Sequence, residues 1–262
     1  MQKLKITVLS ENVAGKWCRA EHGLSFLVEA DRKILFDTGA SDLVSYNAQI
    51  LGINLAEIDT IVLSHGHDDH SGGLMQFRGQ QLICHPDTFI KRFRKSNSSQ
   101  LGIKWNETEI RSKFDVLTSR DAVKLSEQIY FLGEIPRVTE FESKSTAFKK
   151  ADGTDDFVMD DSGLAVITNK GLVVISGCAH SGICNMVLHA QKVSGVEKVH
   201  AVIGGFHLQN DDETTRRTTG WLKSNQIEQV IPSHCTALPA QSAILKDFSF
   251  IQVKTGNVIE LG

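Results

Sequence analysis

Between Ser64 and Gly73 the chain reads Ser64-His65-Gly66-His67-Asp68-Asp69-His70-Ser71-Gly72-Gly73, so three imidazoles and two carboxylates crowd into six residues. Gly66 lets the backbone turn tightly, and histidines separated by one residue can grip one cation from the same side. Asp69 and His70 then point elsewhere and suit a second cation beside the first. Imidazole is a borderline-soft donor, which favours zinc, iron, cobalt or nickel over magnesium or calcium. A merely polar surface loop would rarely gather so many of the chain's ten histidines at the end of the apolar run Thr60-Ile-Val-Leu63. A cation held there lowers the pKa of its bound water from 15.7 to roughly 7, which makes a nucleophile at neutral pH without a side-chain base. Three further histidines, His180, His207 and His234, each follow an apolar run, and each can present a donor at a strand end.

Such donors need rigid elements behind them. Apolar and β-branched runs recur over 4–9, 25–28, 33–36, 60–63, 81–84, 128–132, 164–168, 172–176, 200–203 and 229–231, with a closing hairpin expected around Gly256 and Asn257. Ser41 is placed to cap a helix carrying Leu43, Val44, Ile50 and Leu51 up to Gly52. Ile183, Met186, Val187, Ala190 and Val193 recur at helical spacing before Gly195, and Asp211 opens another helix ending near Asn225. Meanders come first and strand-helix-strand units later, which predicts an α/β fold of two mixed sheets packed face to face with helices outside. The whole of 1–262 reads as one domain, with a less regular insert over 86–150 covering one edge. Within it Lys91 to Lys95, with Phe89, Ile90 and Phe93, suggests an amphipathic helix whose charges form a solvated face or, less simply, help hold an anion.

Lys plus Arg number 28 against 31 Asp plus Glu, a net charge of -3 that offers no global attraction to nucleic acid or anionic lipid. The first residues lack the apolar core of a signal peptide, and no later stretch approaches the ~18 apolar residues of a membrane span. The reading therefore places the chain in the cytoplasm, with neither membrane nor nucleic acid as a partner and with oligomeric state undetermined. Five cysteines without a CxxC pair argue against a disulfide framework and a zinc ribbon. Cys18, Cys84, Cys184, His85, His189 and His200 sit in no comparable constellation and are read as structural.

The pattern His65-x-His67-x-Asp69-His70 after a strand, with Asp37-Thr38-Gly39 upstream, resembles the metallo-β-lactamase superfamily of metal-dependent hydrolases. Glu21-His-Gly-Leu-Ser25, Gly133-Glu-Ile-Pro-Arg137, Gly177-Cys-Ala-His180, Ile203-Gly-Gly-Phe-His-Leu208 and Ser233-His-Cys-Thr236 extend the resemblance to one branch. That branch is named for the dihydropterin ribofuranosylaminobenzene-phosphate synthase. The resemblance implies an αββα sandwich with a metal site where strands end, holding zinc as two divalent ions per chain, or iron or manganese. It implies His65, His67, Asp69, His70, His180 and His234 as metal ligands, with His234 matching the final His. Asp37 matches a structural aspartate that accepts hydrogen bonds from backbone or ligand histidines.

The activity so implied is hydrolysis or a related transfer by a metal-bound hydroxide on an ester, phosphoester or related small anion, including a pterin-type phosphate. Asp69 would orient the hydroxide, His207 would contact substrate or supply the leaving group's proton, and Arg137 would meet a substrate phosphate through its planar fork of donors. One departure stands out. Where the superfamily commonly has Gly-Asp, supplying a bridging carboxylate, this chain has Gly177-Cys178. Cys178 as thiolate, His180, or Asp160 or Asp161 reaching in could fill the place, or Cys178 is a buried inert residue. The departure keeps two other readings open: a metal-holding binding or signalling module with little turnover, and a cysteine hydrolase using Cys178 and His180.

Overall fold

The computed structural model describes residues 3–262. In chain order the strands are β1 (Leu4–Ser10), β2 (Ser25–Glu29), β3 (Lys33–Phe36), β4 (Thr60–Val62), β5 (Gln81–Cys84), β6 (Arg92–Arg94), β7 (Asp115–Thr118), β8 (Val123–Lys124), β9 (Ile129–Phe131), β10 (Phe148–Lys150), β11 (Gly163–Ile167), β12 (Leu172–Ser176), β13 (Val199–Gly205), β14 (Gln229–Ser233) and β15 (Val258–Leu261). The α-helices are α1 (Leu43–Ile50), α2 (Asp68–Ser71), α3 (Glu107–Arg111), α4 (Ile183–Ser194), α5 (Glu213–Ser224) and α6 (Leu238–Ile244). A seven-stranded sheet runs β15-β1-β2-β3-β4-β5-β7, and a six-stranded sheet runs β14-β13-β12-β11-β9-β8.

The apolar runs of the sequence become three apolar layers. Phe26, Phe36, Val62 and Ile83 of the first sheet meet Phe131, Leu164, Val173 and Ile203 of the second in a shared buried core. The outer face of the first sheet packs on Val44 and Ala48 of α1 and Ile110 of α3. That of the second packs on Met186 and Val187 of α4, Leu222 of α5 and Ile244 of α6. This is the αββα sandwich, because each sheet has two apolar faces and each helix only one. Among the described residues no helix is long and apolar enough to cross a membrane.

Strand direction is what gathers the site. β3 and β4 pair in parallel, as do β12, β13 and β14, so within each sheet the C-terminal ends of these strands lie at one edge. Asp37, Ser64 to His70, Cys178 to His180, His207 and His234 all follow such ends.

Several local expectations shift. Ser41 accepts from Leu43 N–H at 3.2 Å but lies one residue before the N-cap of α1, Asp42. Asp212, not Asp211, caps α5, accepting from Thr215 N–H at 3.0 Å. The expected hairpin around Gly256 and Asn257 is only a turn. The chain after it forms β15 against β1, because the open edge of the first sheet is available to the last apolar run. Residues 86–150 are more regular than expected: β7 extends the first sheet and β8 and β9 complete the second, while β6 and β10 pair as a separate ribbon. Lys91 to Lys95 is not helical. A 3₁₀ turn from Pro86 to Phe89 ends there, and Arg92 is drawn wholly inside by Asp156 and Asp160, which an amphipathic helix with a solvated basic face would not allow.

Candidate metal centre

The loop after β4 is held from three sides. Asp37, in a left-handed conformation at φ 59, accepts from Ser64 N–H, from Ser64 Oγ–H and from His70 Nδ1, each at 2.7 Å. Its carboxylate therefore fixes the His70 tautomer and leaves Nε2 as the free donor atom. Asp160 accepts from Gly66 N–H at 2.8 Å, between the two histidines, and its other oxygen pairs with Arg92 at 2.8 Å. The Leu101 carbonyl takes Asp68 N–H at 2.7 Å. Gly66 is needed for close approach rather than for a tight turn, since a Cβ there would collide with the Thr88 carbonyl. α2 then begins, and its single turn separates Asp69 and His70 from the extended His65 to His67 segment.

The second sheet delivers its groups from strained turns. Ala179, His207 and His234 have φ of 51, 51 and 48, a region L-residues seldom occupy and one that clusters at functional sites. Asp161 accepts from Ser181 N–H at 3.0 Å and Oγ–H at 2.5 Å, which holds the turn bearing His180. Burial pushes the Asp161 carboxyl up to about 6 against these bonds. Asn12 pairs its Oδ1 with His234 Nδ1 at 3.0 Å, and Glu11 accepts from His234 N–H at 2.6 Å, so Nε2 of His234 is aimed inward.

Two donor sets result. His65, His67 and His180 have ring centroids 4.5, 4.9 and 4.9 Å apart, with His65 Nε2 2.9 Å from His67 Nδ1. Asp69 Oδ2 lies 3.8 Å from His70 Nε2 and 3.4 Å from His234 Nε2, which are themselves 3.1 Å apart. Among the described residues His67 Nε2 and His180 Nε2 are buried with no hydrogen-bond partner, a cost that a cation among these rings would relieve. Desolvation, and then the neighbouring charges, hold His65, His67 and His180 well below the usual imidazole range, so they are neutral and ready to ligate. Burial disfavours charge on His70 too, but Asp69 and Asp37 raise it to about 9. Burial likewise opposes the Asp69 carboxylate, yet His70 and His234 keep it well below the ordinary carboxylate range. This donor chemistry fits divalent cations of the zinc type.

Cys178 Sγ lies between the sets, 3.2 Å from His70 Nε2. Asp160 and Asp161 do not reach in, being committed to Gly66 and Ser181. His207 stands at the rim, 4.3 Å from the His180 ring, with its backbone N–H given to Cys235 Sγ at 3.2 Å. His22 was missed by sequence reasoning, although the Glu21-His-Gly stretch contains it. It stacks on His234 at 5.2 Å and reaches Asp69 at 3.3 Å. Asn12, Glu11, Arg92 and Cys235 carried no local signal of a role here.

Arg137 is not brought to the centre. Its guanidinium donates to the Phe157 and Val158 carbonyls at 2.6 and 3.2 Å, to Ser143 Oγ at 2.9 Å and to Met159 Sδ at 2.6 Å, because that loop turns through a left-handed Val158 and leaves its carbonyls in need of donors. The guanidinium that lines the metal cleft is Arg94 instead. That cleft is ≈ 510 Å³ and includes His67, Asp69, His180 and His234, with Phe148 as a wall. Arg137→Ala is thus expected to lower stability by about 1–3 kcal/mol in denaturant unfolding, from buried acceptors left unpaired. Its turnover on neutral and phosphorylated substrates should fall in the same proportion. A selective loss on phosphorylated ones would return Arg137 to substrate binding.

An αββα sandwich with two donor sets at the strand ends defines a class, and the chain belongs to the metallo-β-lactamase superfamily, whose family model matches residues 19–83. Over 99% of its length, and 97% of the relative's, it is 35% identical to the 7,8-dihydropterin-6-methyl-4-(β-D-ribofuranosyl)-aminobenzene-5′-phosphate synthase of Methanocaldococcus jannaschii. The crystal structure of Tm1679, described as a metal-dependent hydrolase of the β-lactamase superfamily, superposes with a TM-score of 0.87 at 27% identity over 98% of this chain and 99% of that one. Zn(2+)-bound PqqB from Methylobacterium extorquens shares the fold at a TM-score of 0.55 and 12% identity, over 98% of this chain and 100% of that one.

Proposed function

We propose that the chain is a metal-dependent enzyme that hydrolyses a small anionic ester or phosphoester, or transfers a group from such a substrate. The observation that carries this reading is that His65, His67 and His180 on one side, and Asp69, His70 and His234 on the other, gather in two adjoining sets, of which His67, His180, Asp69 and His234 line one cleft. Bound there, two divalent cations, zinc by preference, supply Lewis acidity and a water that ionises near neutral pH. Asp69 stays anionic, opens 17% of its side chain to the cleft, and accepts the hydrogen bond that orients an attacking water. His207 stands at the rim with its ring 4.3 Å from that of His180, placed to give a proton to a leaving group. Arg94, exposed and on the cleft, offers its fork to a phosphate. The similarity to a synthase whose product name carries a pterin and a 5′-phosphate supports a phosphate-bearing substrate and makes transfer the second reading.

The test is turnover of phosphomonoesters, phosphodiesters, lactones and pterin phosphates by chelated and zinc-, iron- or manganese-loaded protein. Asp69→Asn, which keeps the shape but loses the charge, should reduce the rate on the order of 10²-fold with the fold intact by circular dichroism. Activity that survives chelation overturns the reading in favour of Cys178 and His180. Full metal with no turnover on any of these overturns it in favour of a binding module.

A further inference from the structure

We propose that Cys178 is the ligand shared by the two cation subsites, a bridging thiolate in the place where the resemblance calls for a carboxylate. This rests on the reading that the two donor sets hold divalent cations. The Cys178 ligand atom lies within 4.8 Å of those of His65 and His180 and also of those of His70 and His234, a position between the two sets that no other group in these clusters holds. His180 belongs to the same cluster, and its Nε2 is buried without a hydrogen-bond partner among the described residues. The thiol is only 3% exposed and 3.2 Å from His70 Nε2.

Backbone packing puts it there. A Cβ at Gly177 would collide with Ser64 Oγ, so the end of β12 is pressed directly against the loop that carries His65 to His70. The competing carboxylates lie outside these clusters among the described residues: Asp160 bonds Gly66 and pairs with Arg92, and Asp161 bonds Ser181 through Oδ2. Cys235 clusters with Cys178 and His207 but with no member of either set, so its sulfur does not span them.

The chemistry needs no redox step. On cation binding the S–H bond gives its proton to solvent, and the sulfur lone pairs form one bond to each cation. A soft bridging sulfur, in place of hard oxygen, biases the centre toward zinc, cobalt and cadmium over manganese and magnesium.

The probe is cobalt(II) added to chelated, metal-free protein up to two equivalents and followed by absorption. The parent should develop a near-ultraviolet sulfur-to-cobalt charge-transfer band that grows over both equivalents. Cys178→Ser should lose that band while retaining the visible cobalt bands of imidazole and carboxylate ligation, and Cys235→Ser should keep it. If circular dichroism shows Cys178→Ser unfolded, Cys178→Asp is read in its place. It should lack the band and shift the zinc-to-manganese affinity ratio toward manganese by about tenfold or more, the scale of ligand-environment changes. A band that persists without Cys178, or that disappears with Cys235, overturns the bridge. A parent that takes up two cobalt ions without the band overturns the bridge alone, and one that takes up none overturns the dinuclear reading as well.

Discussion

His67→Ala is expected to lose about one metal ion per chain and more than about 100-fold in turnover, beyond the 10–100-fold that changes to mere outer partners of a ligand produce. The imidazole is buried, its Nδ1 is 2.9 Å from His65 Nε2, and its Nε2 has no hydrogen-bond partner among the described residues. Without it the first set keeps His65, His180 and the shared Cys178, one donor short of the four of a tetrahedral zinc-type site. The ring also packs edge-on against Phe148 at 4.8 Å, so some loosening of the β6–β10 ribbon should accompany the loss. Elemental analysis after dialysis, with circular dichroism and rates alongside, reads all three. His189→Ala serves as the control, since that ring bonds the Leu132 carbonyl at 2.9 Å and takes no part in the donor sets. Full metal content in His67→Ala would sink the assignment of the first set.

Arg92→Ala should be the most destabilising single change outside the apolar core, at about 3–5 kcal/mol, because it strands buried carboxylates without their cation. Arg92 and its partners Asp156 and Asp160 have side chains that are 0%, 1% and 0% exposed. Burial works against the guanidinium's charge, but Asp160 and then Asp156 more than offset it. Since Asp160 also receives Gly66 N–H, the damage reaches the segment between His65 and His67. Metal affinity should therefore fall together with the unfolding midpoint in urea. A midpoint unchanged within error would mean that the carboxylates find other partners or protonate at little cost, and would remove Arg92 from the support of the metal loop.

Much of the molecule was legible locally. The runs 25–28, 33–36, 60–63, 81–84 and 172–176 coincide with strands to within a residue at either end, because a short continuous apolar run and β-branched content are properties of a few neighbouring residues. The short strands β7 and β8 were not legible. They are edge strands with half-exposed patterns, and pairing with β5 and β9, not their own apolar content, makes them strands. The helix expected at Lys91 to Lys95 failed for a related reason: an ion pair to residues 64 and 68 positions further on outweighed local amphipathicity.

The sequence by itself determined the donor types, the His65 to His70 spacing, and the placing of His180, His207 and His234 after strands, since each of these is a short-range pattern. Only the tertiary structure decided which donors meet, that Arg94 and not Arg137 lines the cleft, and that Cys178 sits between the two sets. The physical reason is distance along the chain. Asn12 orients His234 across 222 residues and Cys178 meets His70 across 108, and such contacts are set by parallel strand register and sheet-on-sheet packing, which leave no periodic trace in either segment alone.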